Sequence, residues 1–320
     1  MPAACLLLVA AAGCTTTRLR DAGAAQAAVE LVAVPFYAQT EHQCGPAALA
    51  ASLQASGVAI EPDALVREVY LPALKGSLQV ELQAAARRHG RLAYRLPPTL
   101  PALVHELDAG RPVLVLQNFG LVHAPLWHYA VVIGYDRTGD RFLLRTGTTR
   151  RQALAAARFD GTWRRAGRWG LVVLRPGEIP SGASAAEYVS AAQALAATAG
   201  PALATPAFEA AVMQWPDEGL TWFALGNARL SQDDPRGAEA AFGEALARRP
   251  GDAAARNNLA LLLARRGCTV AARAQIERAL ADSAGTALAA TVEESVAEIG
   301  AGGPAAATDC PVPPQAPPTD

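Results

Sequence analysis

A chain of 320 residues is long enough for two domains with separate cores, and its 28 Lys and Arg against 29 Asp and Glu leave a net charge of −1. That balance excludes the basic excess of a nucleic-acid binder and gives no general pull toward an anionic membrane surface. Lys75 is the sole lysine and alanine is abundant, so any single arginine carries little functional weight. The five cysteines, Cys5, Cys14, Cys44, Cys268 and Cys310, form no C-x-x-C pair and no Cys/His cluster at zinc spacing, so neither a metal site nor a cofactor is expected.

Residues 1–13 read as a signal peptide. Ala3 to Ala12 is an apolar run too short to span a bilayer and suited to an h-region, although no Lys or Arg precedes it. Ala11-Ala12-Gly13-Cys14 resembles the lipobox of bacterial lipoproteins, which implies that Cys14 is lipidated and becomes the first mature residue. Thr15 rather than Asp follows it, which for such lipoproteins implies the outer membrane, facing the periplasm. Residues 14–30, polar and alanine-rich, are expected to form a tether.

Residues 31–178 mix helix and strand signals. Gly45 to Gln54 is an alanine- and leucine-rich helix with Pro46 in its first turn and Gly57 past its end. Further helices fit Pro62–Tyr70, Ser77–His89 with Ser77 as N-cap, and Leu100–Ala109. Pro112–Gln117, Tyr129–Tyr135, Arg141–Arg145 and Trp169–Leu174 then read as strands separated by turn residues. Helices first and strands afterwards give an α+β class, helices packed on an antiparallel sheet.

Pro176, Gly177, Pro180, Ser181 and Gly182 mark a linker, placed at 179–186. Beyond it a period of 34 residues relates Ala204, Ala238 and Ala272, then Phe208, Phe242 and Ile276, then Ala211, Ala245 and Ala279. Trp222, Leu225 and Gly226 fit the W-x-x-L-G start of a tetratricopeptide repeat, so 187–285 is expected to be an all-α domain of three such repeats, followed by a terminal helix at 286–299. Residues 300–320, rich in Gly, Pro and Ala, read as disordered. With Cys5 removed and Cys14 acylated, three cysteines remain, which points to one free thiol and one disulfide. Cys268, in the turn of the last repeat, is expected to pair with Cys310 in the tail.

The most informative segment runs from Val34 to Leu49 and contains Gln39 and Cys44-Gly45-Pro46-Ala47-Ala48-Leu49. It sets a cysteine at a helix start, where dipole and free amides are expected to lower the thiol pKa. Gln39 can offer its amide to an oxyanion hole together with the Cys44 backbone N–H. A thiolate needs a base, and Trp127-His128-Tyr129 opens a strand with one. His123 is the fallback base. A lone cysteine at a helix start is more often a packed core residue, and it is the company of Gln39 and His128 that favours a nucleophile.

Val34-Pro35-Phe36, Gln39, Cys44-Gly45-Pro46-Ala47-Ala48-Leu49 and His128 to Asp136 resemble bacteriocin-processing-type cysteine peptidases, a papain-like family that removes double-glycine leaders. The likeness covers Val34 to Pro176, and the whole layout resembles bacterial lipoproteins in which such a domain precedes tetratricopeptide repeats. It implies Cys44 as nucleophile, His128 as base and Gln39 as oxyanion residue. The family's third residue is an aspartate at the end of the next strand, where this chain has Thr146; Asp136 is the second choice for that task. The implied partners are a peptide or protein substrate, a protein held by the repeats and a membrane reached by the lipid anchor. The competing reading is a catalytically weak peptidase fold acting as a binding module.

Overall fold

The computed structural model describes residues 19–39, 42–301 and 310. The expected signal peptide and Cys14 lie outside the described residues. Seven strands are present among them: β1 (Ala28–Glu30), β2 (Leu92–Arg95), β3 (Val113–Asn118), β4 (Trp127–Asp136), β5 (Arg141–Thr146), β6 (Thr149–Ala155) and β7 (Gly170–Leu174). Helices α1 (Cys44–Ala55), α2 (Pro62–Val69), α3 (Gln79–Arg88), α4 (Leu100–Asp108) and α5 (Ala156–Arg165) belong to this part of the chain. Then follow α6 (Ala185–Ala199), α7 (Pro201–Gln214), α8 (Gly219–Leu230), α9 (Pro235–Arg248), α10 (Ala253–Arg265), α11 (Thr269–Ser283) and α12 (Ala289–Ala301).

All strand pairs are antiparallel, in the order β2-β7-β3-β4-β5-β6. The long β4 pairs with β3 through its first half and with β1 through its last three residues. Successive side chains of a strand point to opposite faces. Leu114, Leu116, Tyr129, Val131 and Ile133 therefore meet α1, α2 and α3 through Leu49, Leu53, Leu65 and Leu82. Val113, Val115, Ala130 and Val132 face the other way, into a core with Leu103 of α4, Phe159 and Trp163 of α5 and Tyr188 and Leu195 of α6. That core runs on through Phe208 and Leu225 of α7 and α8, so helices cover both faces and the second face is shared with the helical half.

Four expectations change. The chain is not a free tether up to residue 30: Leu19 is fully buried and its N–H donates to Asp140 Oδ1 at 2.9 Å, and β1 joins the sheet, because an apolar side chain and a strand edge within reach of the core are better buried than solvated. The residue before α3 is Leu78, which offers no side-chain cap, and Ser77 stands one position further out. The linker is held down as well, since buried Glu106 accepts from the Ser181 N–H at 2.5 Å and from Arg111. At the far end, Gly300 and Ala301 belong to α12 and Cys310 is bonded to Cys268; the rest of the expected disordered tail lies outside the described residues.

In the helical half the 34-residue period falls on α7, α9 and α11. Ala204, Ala238 and Ala272, and likewise Ala211, Ala245 and Ala279, are fully buried, with Phe208, Phe242 and Ile276 between them almost so. Small residues let neighbouring helices approach and the larger one fills the remaining space. Among the described residues no helix is long and apolar enough to cross a membrane.

Candidate active site

The first turn of α1 abuts the end of the sheet where β4 begins and β5 ends. There a cleft of about 810 Å³ is lined by Gln39, Cys44, His128 and Gly147, with Leu74 and Leu78 on one wall and Leu126 and Trp127 on the other. Cys44, a free and half-buried thiol, is the first residue of α1. Proline at the third position costs the helix nothing there, because an N–H at that point has no intrahelical partner. Gly45 is required by close approach, since a Cβ would collide with the Ser77 side chain on the cleft wall.

His128 is half-buried, and its Nε2 lies 2.7 Å from Thr146 Oγ1 in a hydrogen bond whose donor depends on the imidazole tautomer. Nδ1 is the ring nitrogen left over. The Phe119 ring packs on the imidazole with centroids 5.6 Å apart. Trp127, half exposed, stands beside it on the strand rather than enclosing it. No hydrogen bond joins Cys44 to His128 among the described residues; the two side chains share the cleft.

Gln39 is held from both ends. Its backbone N–H donates to the Gly147 carbonyl at 3.0 Å, and its Oε1 accepts from the Gly147 N–H at 3.0 Å. Nε2 makes only a long contact, 3.4 Å, with the Tyr129 carbonyl and keeps a donor to spare. Gly147 turns the β5–β6 hairpin at φ 54°, in the left-handed region that favours glycine. Arg145, buried beside Thr146, donates to the carbonyls of Val32, Val34 and Arg150, and so fastens the segment leading to Gln39 onto the hairpin.

The electrostatics correct one expectation. Burial pushes the Cys44 thiol above its ordinary pKa, and the backbone N–H groups of Tyr129, Gly45 and Cys44 itself offset this only in part. Burial also pulls the His128 pKa down. Pro46 removes one amide from the first turn, and among the described residues no carboxylate is bonded to the imidazole, so desolvation wins over the helix terminus. At neutral pH the pair is a thiol and a neutral imidazole.

Asp136 is not near this site. It lies eight positions along β4 from His128, about 27 Å at strand rise, and accepts from the Gly139 N–H and from Arg141. His123 sits in the exposed β3–β4 loop, outside the residues lining the cleft, whereas His42 is on its rim. The parts that Phe119, Ser77 and Gly147 play at the site are not visible in the sequence, since they depend on partners 9, 32 and 108 positions away. The arginines between 141 and 175 do not form a bare basic face: Arg141, Arg151, Arg168 and Arg175 pair with Asp136, Glu30, Asp160 and Glu178. Among the described residues no group of three His, Cys, Asp or Glu side chains could hold a metal ion.

Residues 31–170 match the Peptidase_C39 like family. The matched segment runs from the end of β1 to the start of β7 and is a little under half of the chain. A solved structure described as a C39-like peptidase from Bacillus anthracis shares 18% identity, with a TM-score of 0.40 over 47% of this chain and 98% of that one. No curated protein matches the sequence. The matched segment thus holds the whole cleft, and α6–α12 lie beyond the match.

Proposed function

We propose that the chain is a cysteine peptidase of the cell envelope. The observation that carries this reading is the convergence of Cys44, Gln39 and His128 on one cleft, with His128 Nε2 already engaged by Thr146. His128 Nδ1 takes the thiol proton as Sγ attacks the scissile carbonyl carbon. The resulting oxyanion is held by Gln39 Nε2 and the Cys44 N–H. His128 then returns that proton to the leaving amine, the C–N bond breaks, and an acyl-thioester remains on Cys44. Water, deprotonated by the same imidazole, cleaves the thioester and restores the thiol. Thr146 is a positioning residue: it orients the ring but carries no charge to stabilise an imidazolium.

Peptide-cleavage profiling of purified protein tests the reading. Cys44→Ala should abolish cleavage and His128→Ala should lower kcat by about 100-fold or more. Gln39→Ala should lower turnover about 100-fold or more while leaving alkylation of Cys44 intact, because its amide acts in the transition state. Full activity in Cys44→Ala would remove the mechanism.

A second reading, a peptidase fold serving as a binding module with weak or no catalysis, is favoured by Thr146 in place of an aspartate and by the raised thiol pKa. Wild-type protein that neither cleaves peptides nor reacts with an electrophilic probe would leave that reading standing. Both readings include tetratricopeptide-type repeats in α6–α11 that hold a peptide or protein partner, and a lipid anchor at Cys14 on the outer membrane. Palmitate incorporation lost in Cys14→Ala is the expected result, and equal labelling of the two proteins would overturn the anchor.

A further inference from the structure

A second cavity, of about 580 Å³, lies where the C39-like domain meets the helical half. Gln79 at one end of α3 lines the Cys44 cleft, and Arg87, eight residues or about 12 Å along the helix, lines this cavity. Gln83, Tyr94, Arg95 at the end of β2, and Glu187 and Ser190 of α6 add to its polar lining, which adjoins apolar Leu96 and Pro97.

The two guanidiniums are unusual in this protein. Arg87 Nε is buried with no hydrogen-bond partner. Arg95 stacks on the Trp169 ring, its guanidinium carbon 5.7 Å from the centroid, which fixes the guanidinium while its edge N–H donors stay available. Burial disfavours the charge on both, and no neighbouring carboxylate offsets it. Elsewhere the chain satisfies its sequestered guanidiniums: Arg168 on Asp160, Arg256 on Asp282 and Gln275, Arg145 on three carbonyls. Glu187 is bonded to neither arginine; its Oε2 accepts from the Ser184 N–H and hydroxyl and from the Tyr94 hydroxyl. The buried, unpaired Nε of Arg87 is costly, and an incoming oxyanion that bonds it removes that cost, while Arg95, exposed and held against Trp169, offers a second fork to the same anion.

We propose that this cavity binds a small organic anion, its carboxylate or phosphate group held by Arg87 and Arg95 and its stem against Leu96 and Pro97. Such a ligand touches α3, β2 and α6 at once, so its binding favours the docked arrangement of the two halves.

Thermal melting of the full chain at constant ionic strength tests this, with inorganic phosphate, succinate and chloride as probes. A saturable rise in Tm of about 2 °C or more is expected with phosphate or succinate and not with chloride. Response to phosphate alone assigns a phosphate ester, and response to succinate alone a carboxylate. Arg95→Gln and Arg87→Gln should each abolish the rise, while Arg88→Gln, whose residue pairs with Glu68, should keep it. Should Arg87→Gln fail to fold, exposed Arg95→Gln decides the matter. Cys44→Ala should show the wild-type rise, which separates this site from the cleft. A rise no larger than that of chloride, or one that persists in both Arg95→Gln and Arg87→Gln, means an adventitious ion only and overturns the proposal.

Discussion

The sheet face carrying Leu114, Leu116, Tyr129, Val131 and Ile133 packs on α1–α3, whereas the face carrying Val113, Val115, Ala130 and Val132 packs on α4, α5 and onward into α6–α8. Adjacent residues of one strand thus serve different cores. The first core positions Cys44, because α1 rests on it and starts at the cleft. The second joins the C39-like domain to the helical half and supplies no residue to the cleft. A third cluster, around Phe242, Leu263 and Ile276, closes the far end of the helices. Position of Cys44 and attachment of the helical half are therefore separable properties of one sheet.

The largest expected effect tests the shared core. Tyr188→Ala, at a fully buried position of α6, should cost about 3–5 kcal/mol and lower the melting of sheet and helices together. Leu53→Ala, on the opposite face, should cost about 2–5 kcal/mol and also speed alkylation of Cys44 under native conditions, through loosening of α1. A near-UV melting curve of the sheet that does not move in Tyr188→Ala would break the comparison.

Cys310→Ser removes the bond to Cys268, which closes a separation of 42 residues. The chain-entropy model assigns it roughly 4 kcal/mol. The loss should be confined to the third cluster, visible as faster hydrogen exchange in α11 and α12 with β4 unchanged.

Smaller effects sharpen the picture at the cleft. Thr146→Ala removes the partner of His128 Nε2 and should cost about 1 kcal/mol of positioning, read as a several-fold fall in kcat. Thr146→Asp should keep or raise kcat where a carboxylate meets the imidazolium; a fall in both Tm and kcat would mean that burial of the added charge dominates. The smallest signal is the pH dependence of alkylation. With the thiol pKa raised, the rate at Cys44 should climb about tenfold per pH unit from pH 7 to beyond pH 8.5, and His128→Gln should barely change it. A plateau already reached below pH 7, abolished in His128→Gln, would instead reveal a thiolate–imidazolium pair.

Much of this was legible in the sequence where local signals suffice. Pro46, Gly57 and the alanine run delimit α1 to within a residue or two, and strands β3, β4, β5 and β7 follow their apolar runs. The 34-residue period falls on α7, α9 and α11 because a repeated packing task leaves a repeated residue. What escaped has non-local causes. β6 is an edge strand whose Thr149-Arg150-Arg151 start is exposed and shows no alternation, and β1 exists because the back half of β4 is unpaired on that side. The raised pKa of the Cys44 thiol is not legible in the sequence, because a helix start is visible there while the burial around it is not. Asp136 looked available to His128 because separation along a strand becomes distance only once the strand is extended.

Arg145 has a mechanical consequence. It binds the Val32–Val34 backbone to the β5–β6 hairpin, Gly147 exchanges two hydrogen bonds with Gln39, and Thr146 lies between Arg145 and Gly147 in the chain. The Gln39 side chain and the Thr146 hydroxyl are therefore held by one hairpin, with His128 bonded to the second of them, while Cys44 is held by α1.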